Sequence, residues 1–321
     1  MERLMINYNI LKTFLTEHFS DKRINESYID IIGHMFSNEY IIKLLNEIIS
    51  EPELLQKIAN RSYKHALGFD KIVLLDLQKD IDKSFPKVQV RLHIWQPQND
   101  SVAITEALHE HSFDFVSKVI TGKLENQSFI PNELNQIEQQ LLDKVLTIIP
   151  TLNSETLQKI EFNLESILVS QLQKYDSMQI IDNDIDWELL KDTLNLNIQE
   201  LELLSDINGY YLSNRIAGEK KAYKHILGKY ISLKIHKVQQ INAGETYFHH
   251  YSFPHRLNYD NQMINSTILI TTNVPENAKG GSFQRPTYET NGAKNYDKIS
   301  FDIDSFKQTL EYYIEYLKKL N

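Results

Sequence analysis

Across residues 88–95 the chain alternates without a slip, with Val88, Val90, Leu92 and Ile94 in one set of positions and Gln89, Arg91, His93 and Trp95 in the other. This period of two is incompatible with a helix. It predicts a β-strand with one apolar buried face and one polar or functional face. Residues 113–120 read as a second strand, Thr121-Gly122 as a tight turn and residues 123–129 as the return strand. His109-Glu110-His111 lies at the mouth of this hairpin. Residues two apart on extended chain project to the same side, so both imidazoles can reach one metal ion.

A matching pattern recurs downstream. Residues 229–242 form a long strand-like run, Ala243-Gly244-Glu245 a turn, and residues 246–251 return toward Pro254-His255-Arg256; a further strand is expected over residues 264–272. Here the chain resembles the cupin superfamily. The first cupin motif is a His-x-His, a run of residues and a Gly; the second begins at a Gly turn and closes on a metal-binding His. Gly122 follows His111 by eleven residues, and His255 follows Gly244 by eleven.

Within that superfamily the chain is most similar to the thiol dioxygenases, through the strand ending in Trp95, the short loop, the His pair and the Gly122-Lys123-Leu124 return. The similar stretches are residues 69–129 and 229–275. Most cupins carry a Glu four or five residues after the second His, where this chain has Phe115 and Val116. The cysteine dioxygenases lack that carboxylate too. Their Cys on the following strand has no counterpart in a chain with no cysteine, and residues 264–272 hold neither the His nor the Tyr found beyond their third His.

The resemblance implies an α+β protein built on a cupin double-stranded β-helix, or jelly-roll barrel, with one divalent metal ion on His109, His111 and His255. Fe(II) is the expected metal, with Zn(II) and Mn(II) as alternatives. Three neutral imidazoles leave the ion its full double charge, which favours a small anionic substrate that chelates it; with iron, dioxygen would be the co-substrate. Arg91 and His93 share the Trp95 face, which looks into the barrel in the resembled enzymes. Lys71 stands roughly where those enzymes carry a carboxylate-binding Arg, and Arg256 directly follows the third His. Lys71, Arg91 and Arg256 are therefore the expected substrate anchors. His93 and Tyr247 are the expected catalytic groups, Tyr247 alternating with His249 on the strand that leads to His255.

The leading function is a non-haem metal oxygenase acting on a small anionic, amino-acid-like or thiol molecule. A zinc or manganese cupin catalysing isomerisation, lyase or bond-forming chemistry is one rival. A non-catalytic ligand-binding sensor is the other.

The rest of the chain reads as helix. Leu11, Phe14, Leu15 and Phe19, then Ile41, Leu44, Leu45 and Ile48, recur at helical spacing. This gives a helical N-terminal layer over residues 1–68, a first barrel half over 69–129, a helical insertion over 130–208, a second barrel half over 209–300 and a C-terminal helix over 301–321. The insertion is expected to hold two or three helices packed outside the barrel. Asp304-Ser305 is the expected cap of the last helix.

The insertion holds fifteen Asp and Glu against four Lys, while the whole chain carries −9. The acidity therefore belongs to the insertion, as a solvated face, or else as a lid or a docking surface for a basic partner; a homodimer or protein partner would assemble through the helical elements. An acidic face repels phosphate backbones, and no basic patch with interleaved aromatics occurs, so nucleic-acid binding is not expected. No phosphate loop, His-Glu-x-x-His motif or nucleophile elbow is present, and Gly280-Gly281 reads as a turn. No apolar run approaches the roughly 18 to 20 residues of a membrane span, and Glu2, Asn7 and Asn9 fall where a signal peptide would be apolar. With no cysteine, the expected location is the cytoplasm.

Overall fold

The alternating run forms a strand, Gln89–Trp95, inside a seven-stranded antiparallel sheet. The computed structural model describes residues 6–19, 23–65, 68–97, 104–173, 185–215, 223–273, 281–284 and 299–320. Its helices are α1 (Ile6–Phe19), α2 (Ile29–Met35), α3 (Asn38–Ser50), α4 (Pro52–Ala59), α5 (Leu77–Asp80), α6 (Gln136–Ile148), α7 (Ser154–Gln173), α8 (Trp187–Leu194), α9 (Ile198–Asp206) and α10 (Ile303–Leu320). The strands are β1 (Tyr63–Lys64), β2 (Asp70–Asp76), β3 (Gln89–Trp95), β4 (Ile104–Thr105), β5 (Phe113–Thr121), β6 (Lys123–Asn132), β7 (Ile207–Arg215), β8 (Tyr223–Asn242), β9 (Thr246–His249), β10 (His255–Tyr259), β11 (Asn265–Asn273), β12 (Gly281–Gln284) and β13 (Ile299–Ser300). Among the described residues no helix is long and apolar enough to cross a membrane.

The protein mixes helix with two antiparallel sheets. One has the order β13-β1-β2-β3-β11-β5-β9, the other β12-β7-β8-β6-β10-β4. The alternation of β3 explains how the first sheet is covered on both sides. Val90, Leu92 and Ile94 join Val116, Ile120, Ile268 and Ile270 against the apolar stripes of α1, α3, α4 and α10. On the opposite face Trp95 joins Phe69, Phe115, Val119, Tyr247 and Leu269 against Leu124, Ile241, Leu257 and Tyr259 of the second sheet. The polar half of the strand therefore faces an interior between the sheets rather than solvent.

Strand β2 carries one extra residue. Val73 pairs with Arg91 and Leu75 with Val90, leaving Leu74 as a bulge. Arg61 closes it: Nε donates to the Val73 carbonyl (2.6 Å) and Nη2 to that of Leu74 (2.5 Å), while Nη1 holds both oxygens of Asp80 (2.8 and 2.7 Å). The Val73 amide donates to Ser62 Oγ (3.1 Å). The bulge is thus a satisfied feature, opposite Arg91.

Four helices, α6 to α9, share a core of their own between β6 and β7, built on Leu141, Val145, Ile160, Leu164, Leu190, Leu201 and Leu204. This exceeds the two or three helices expected from the periodicity. The reason is local: Asn195 adopts a left-handed conformation (φ 51) that stops α8, and Asn197 restarts the chain as α9 with a capping box on Glu200. Residues 174–184 of this stretch lie outside the described residues. Helix α10 begins at Ile303, and its cap is Asp302 rather than Asp304-Ser305, because the Asp302 carboxylate accepts the Ser305 amide (2.9 Å). Gly281 of the expected Gly-Gly turn opens strand β12.

The second sheet curls. Residues 108–110 hydrogen-bond to β10 on one side, through His109 and His255, and to β12 on the other, through Phe283 N to Leu108 O (2.9 Å) and Glu110 N to Gly281 O (3.1 Å). This joins the sheet's two edges around Leu108, Phe129, Leu168, Ile231, Leu233 and Phe283.

Candidate metal centre

His109 and His255 form a reciprocal backbone pair, each amide donating to the other's carbonyl (2.9 and 2.7 Å). On one side of them Thr105 pairs with Asn258, so four steps on the first segment match three on β10. That extra residue has a consequence. Glu106, whose amide donates to the Leu257 carbonyl (2.9 Å), and His109 both face the interior although they are three apart, an arrangement a regular strand forbids.

His109, His111 and His255 each present one ring nitrogen, and these atoms lie within 4.8 Å of one another. The Nε2 atoms of His111 and His255 approach to 2.9 Å. Second contacts fix two of the rings. His255 Nδ1 donates to Asn126 Oδ1 (2.8 Å) and His109 Nδ1 to the Ala107 carbonyl (2.8 Å), since both oxygens can only accept. Each Nε2 then keeps its lone pair for a cation. Bonds of about 2.1 Å place ligand nitrogens about 3 to 3.4 Å apart, so modest side-chain rotation would seat an ion. Burial holds all three imidazoles below the ordinary histidine range and favours the neutral, ligating form. The donor set fits a divalent metal.

Around the triad the surfaces are aromatic. Phe115, where most cupins would place a carboxylate, lies 5.3 Å from the His111 ring and 6.0 Å from that of His255. A fourth imidazole, His249, stacks on Phe115 (5.0 Å) and against His255 (4.0 Å), while its Nε2 donates to the Phe253 carbonyl (2.9 Å). Burial pushes its pKa down to about 3.

The structure places the other expected residues unequally. Arg91 is buried with its guanidinium 4.5 Å over the Phe113 ring, which in turn lies 4.7 Å from His111. Its Nε donates to Gln89 Oε1 (2.9 Å), and burial lowers its pKa to about 10, leaving it charged at neutral pH. Lys71 pairs across the sheet with His93, its Nζ 5.4 Å from the Tyr63 ring. His93 packs between Phe69 (4.5 Å) and Trp95 (5.9 Å), and among the described residues its buried Nε2 has no hydrogen-bond partner. Tyr247 contacts Phe115 (6.0 Å) and bonds to Ser117 rather than meeting the imidazoles.

Arg256 departs from the expectation of a substrate anchor. Alternation on β10 sends His255, Leu257 and Tyr259 inward and Arg256 outward, where it donates to Gln127 Oε1 (2.7 Å) and pairs with Glu165 of α7 (2.5 Å). Neighbours in sequence occupy opposite faces. Two residues that matter stand outside the sequence motifs: Asn126, which orients His255, and Glu106, buried beneath the Trp95 indole (Nε1 to Oε1, 3.1 Å). The only sequence signal for Glu106 was its nearness to His109, and the extra residue in the ladder hides its orientation.

Glu110, between the two ligands, accepts a hydrogen bond from Tyr210 of β7. Tyr210 reaches it by passing over Gly281, where an added Cβ would fall 2.3 Å from the Tyr210 ring. Gly281→Ala is therefore expected to displace that ring, destabilise the fold by about 1 to 3 kcal/mol and weaken metal binding. Urea unfolding and metal titration check this, and Tyr210→Phe should reproduce the metal effect with a smaller loss of stability.

No family model matches the chain, and no curated protein matches it. Among solved structures it is similar to a 7S globulin from Momordica charantia, with 9% identity and a TM-score of 0.29, over 81% of this chain and 47% of that one. It is also similar to a structure described as that of DMSP lyases, with 8% identity and a TM-score of 0.29, over 86% of this chain and 95% of that one. The chain thus spans about half the length of the globulin.

Proposed function

We propose that the protein is a metal-dependent cupin enzyme, a non-haem iron oxygenase whose substrate is a small anionic amino-acid-like or thiol molecule. The observation that carries this reading is the convergence of His109, His111 and His255, two of them with their far nitrogens already committed to Ala107 and Asn126. The strand orders support the cupin part: β3-β11-β5-β9 faces β4-β10-β6-β8 across a shared core, the arrangement of a two-sheet jelly roll. In this reading residues 69–129 and 209–300 supply the barrel, and residues 1–68, 130–208 and 301–321 surround it.

Ferrous iron would supply the redox chemistry with dioxygen. The chain's own residues do the rest. Three neutral imidazoles leave the ion positive and attractive to an anion. Arg91, on Phe113 beside His111, offers a charge-assisted pair of hydrogen bonds to a carboxylate, and Lys71 adds a second positive charge near His93. Phe113 and Phe115 pack on the His111 ring and make the surroundings of the imidazoles apolar. Tyr247, kept protonated by burial, orients through its hydroxyl.

Metal analysis of the purified protein, followed by oxygen uptake of the Fe(II)-loaded form with a panel of thiols and amino acids, tests the reading. Turnover by the zinc or manganese form, with no oxygen uptake by the iron form, would replace it. For any substrate so found, Arg91→Lys is expected to reduce kcat/KM by about 10- to 100-fold, equivalent to about 1.5 to 3 kcal/mol, with metal content unchanged. A planar guanidinium holds a carboxylate in a way Lys cannot copy. Unaltered kinetics would leave Arg91 a structural cation.

A further inference from the structure

Glu106 is buried in the wall between the two sheets, and among the described residues it has no counter-charge. Its described hydrogen-bond donor is Trp95 Nε1, and among the described residues no cation pairs with it. A buried carboxylate without a cation is costly, and the usual resolution is that the group keeps its proton. Burial accordingly raises the Glu106 pKa to about 8. Two other buried carboxyls of the barrel wall are better supplied with donors: Asp114 has Arg23 and the Tyr251 amide, and Glu125 has Gln127, Gln240 and Asn258.

Position separates Glu106 from an ordinary buried acid. It faces the interior opposite Leu257, two residues along β10 from His255, which is about 7 Å of strand. The groups packed around it come from three strands. Tyr259 of β10 packs on Trp95 (5.5 Å), and among the described residues its buried hydroxyl has no hydrogen-bond partner. Tyr247 of β9 stands on the Phe115 side, bonded to Ser117. His93 of β3 lies on the far side of Trp95, with its own orphaned Nε2 and with Lys71 and Arg91 as the nearest charges. Two unpaired buried polar atoms in one wall, beside an acid, mark a place where further hydrogen bonds are to be made.

We propose that Glu106 is an acid–base residue of the barrel, standing in the same cavity as the three imidazoles and exchanging a proton with the ligand bound there. The inference rests on the metal reading above. In the donating direction the Glu106 O–H bond breaks, the proton joins a basic oxygen, nitrogen or sulfur of the ligand, and the electron pair stays on the carboxylate, which the Trp95 N–H continues to hold. The reverse step restores the acid. No redox partner is needed.

Trp95 supplies the probe, since the chain has two tryptophans and the other, Trp187, belongs to the helical insertion. In a Trp187→Phe background, Trp95 emission is expected to titrate with a midpoint near 8, and Glu106→Gln should abolish the transition. Saturation with Zn(II) should move the midpoint to lower pH by at least about one unit, because a dication in the same cavity favours the carboxylate. Should the Gln variant fail to fold, the infrared carbonyl band of a buried carboxylic acid, followed through the same pH range in the unsubstituted protein with and without Zn(II), gives the same readout. An absent titration shows that Glu106 does not exchange its proton in this range and overturns the proposal. A titration that Zn(II) leaves in place, with Zn(II) bound through the histidines, shows a structural acid walled off from the site and overturns it as well. If Zn(II) does not bind at all, the metal reading falls first and removes the ligand Glu106 would serve.

Discussion

His255→Ala is expected to strip the protein of its metal, leaving about a tenth or less of the occupancy of the unsubstituted chain after dialysis, because the site loses one of three ligands. His109→Ala and His111→Ala should do the same. The His255 change also leaves Asn126 Oδ1 without its donor, a cost of about 1 to 3 kcal/mol, yet the backbone pair between residues 109 and 255 survives, so far-UV circular dichroism should be unchanged. Two companions make the result specific. Asn126→Ala should weaken binding by about 10- to 100-fold through loss of ring orientation alone. His249→Ala should retain the metal, since its Nε2 is committed to Phe253. Equal losses in His249→Ala and His255→Ala would place the ion elsewhere in the cluster.

Arg61→Ala should be the most destabilising single change outside the site, by about 3 to 5 kcal/mol, out of a total that for most domains is about 5 to 15 kcal/mol. Its side chain is 6% exposed and that of Asp80 is 2% exposed. Removing the guanidinium orphans two bulge carbonyls and strips Asp80 of its buried partner. Lys57, the other cation on Asp80, is 47% exposed, so Lys57→Ala should cost about 1 kcal/mol or less. Burial works against the Asp80 charge, but Arg61 and Lys57 prevail and hold its pKa below the ordinary carboxylate value. The stabilisation it contributes is therefore in place at neutral pH and lost as pH falls through the depressed pKa, a dependence Arg61→Ala should flatten. Urea unfolding at neutral and acidic pH measures both effects.

The contrast between His255 and Arg256 shows what could be read from the sequence. Histidines at motif spacing, an uninterrupted alternation over residues 88–95 and Gly turns at positions 122 and 244 are local signals, and the structure gathers the three histidines where those signals converge. Arg256 was inferred from adjacency alone, and strand geometry sends adjacent residues to opposite faces. Glu106 was invisible for a related reason: its inward orientation depends on one extra residue, a register relation with β10 that no local pattern encodes. The closure of the second sheet was equally hidden, since it pairs residues 108–110 with strands far away in the chain. The helical insertion was legible as helix from its apolar spacing, whereas the split of its last part into α8 and α9 turned on the conformation of Asn195.

His111 and His255 stand 144 residues apart in the chain, with the whole helical insertion between them. At a synthesis rate of about 5 to 20 residues per second, about 7 to 30 s pass between the emergence of the first two imidazoles and the third. Until then the nascent chain offers a divalent ion only a two-nitrogen chelate on an unpaired segment. Loading of a metal on this triad would thus be a late event, timed by the completion of the strand ladder, and its capture would report that the second sheet has closed.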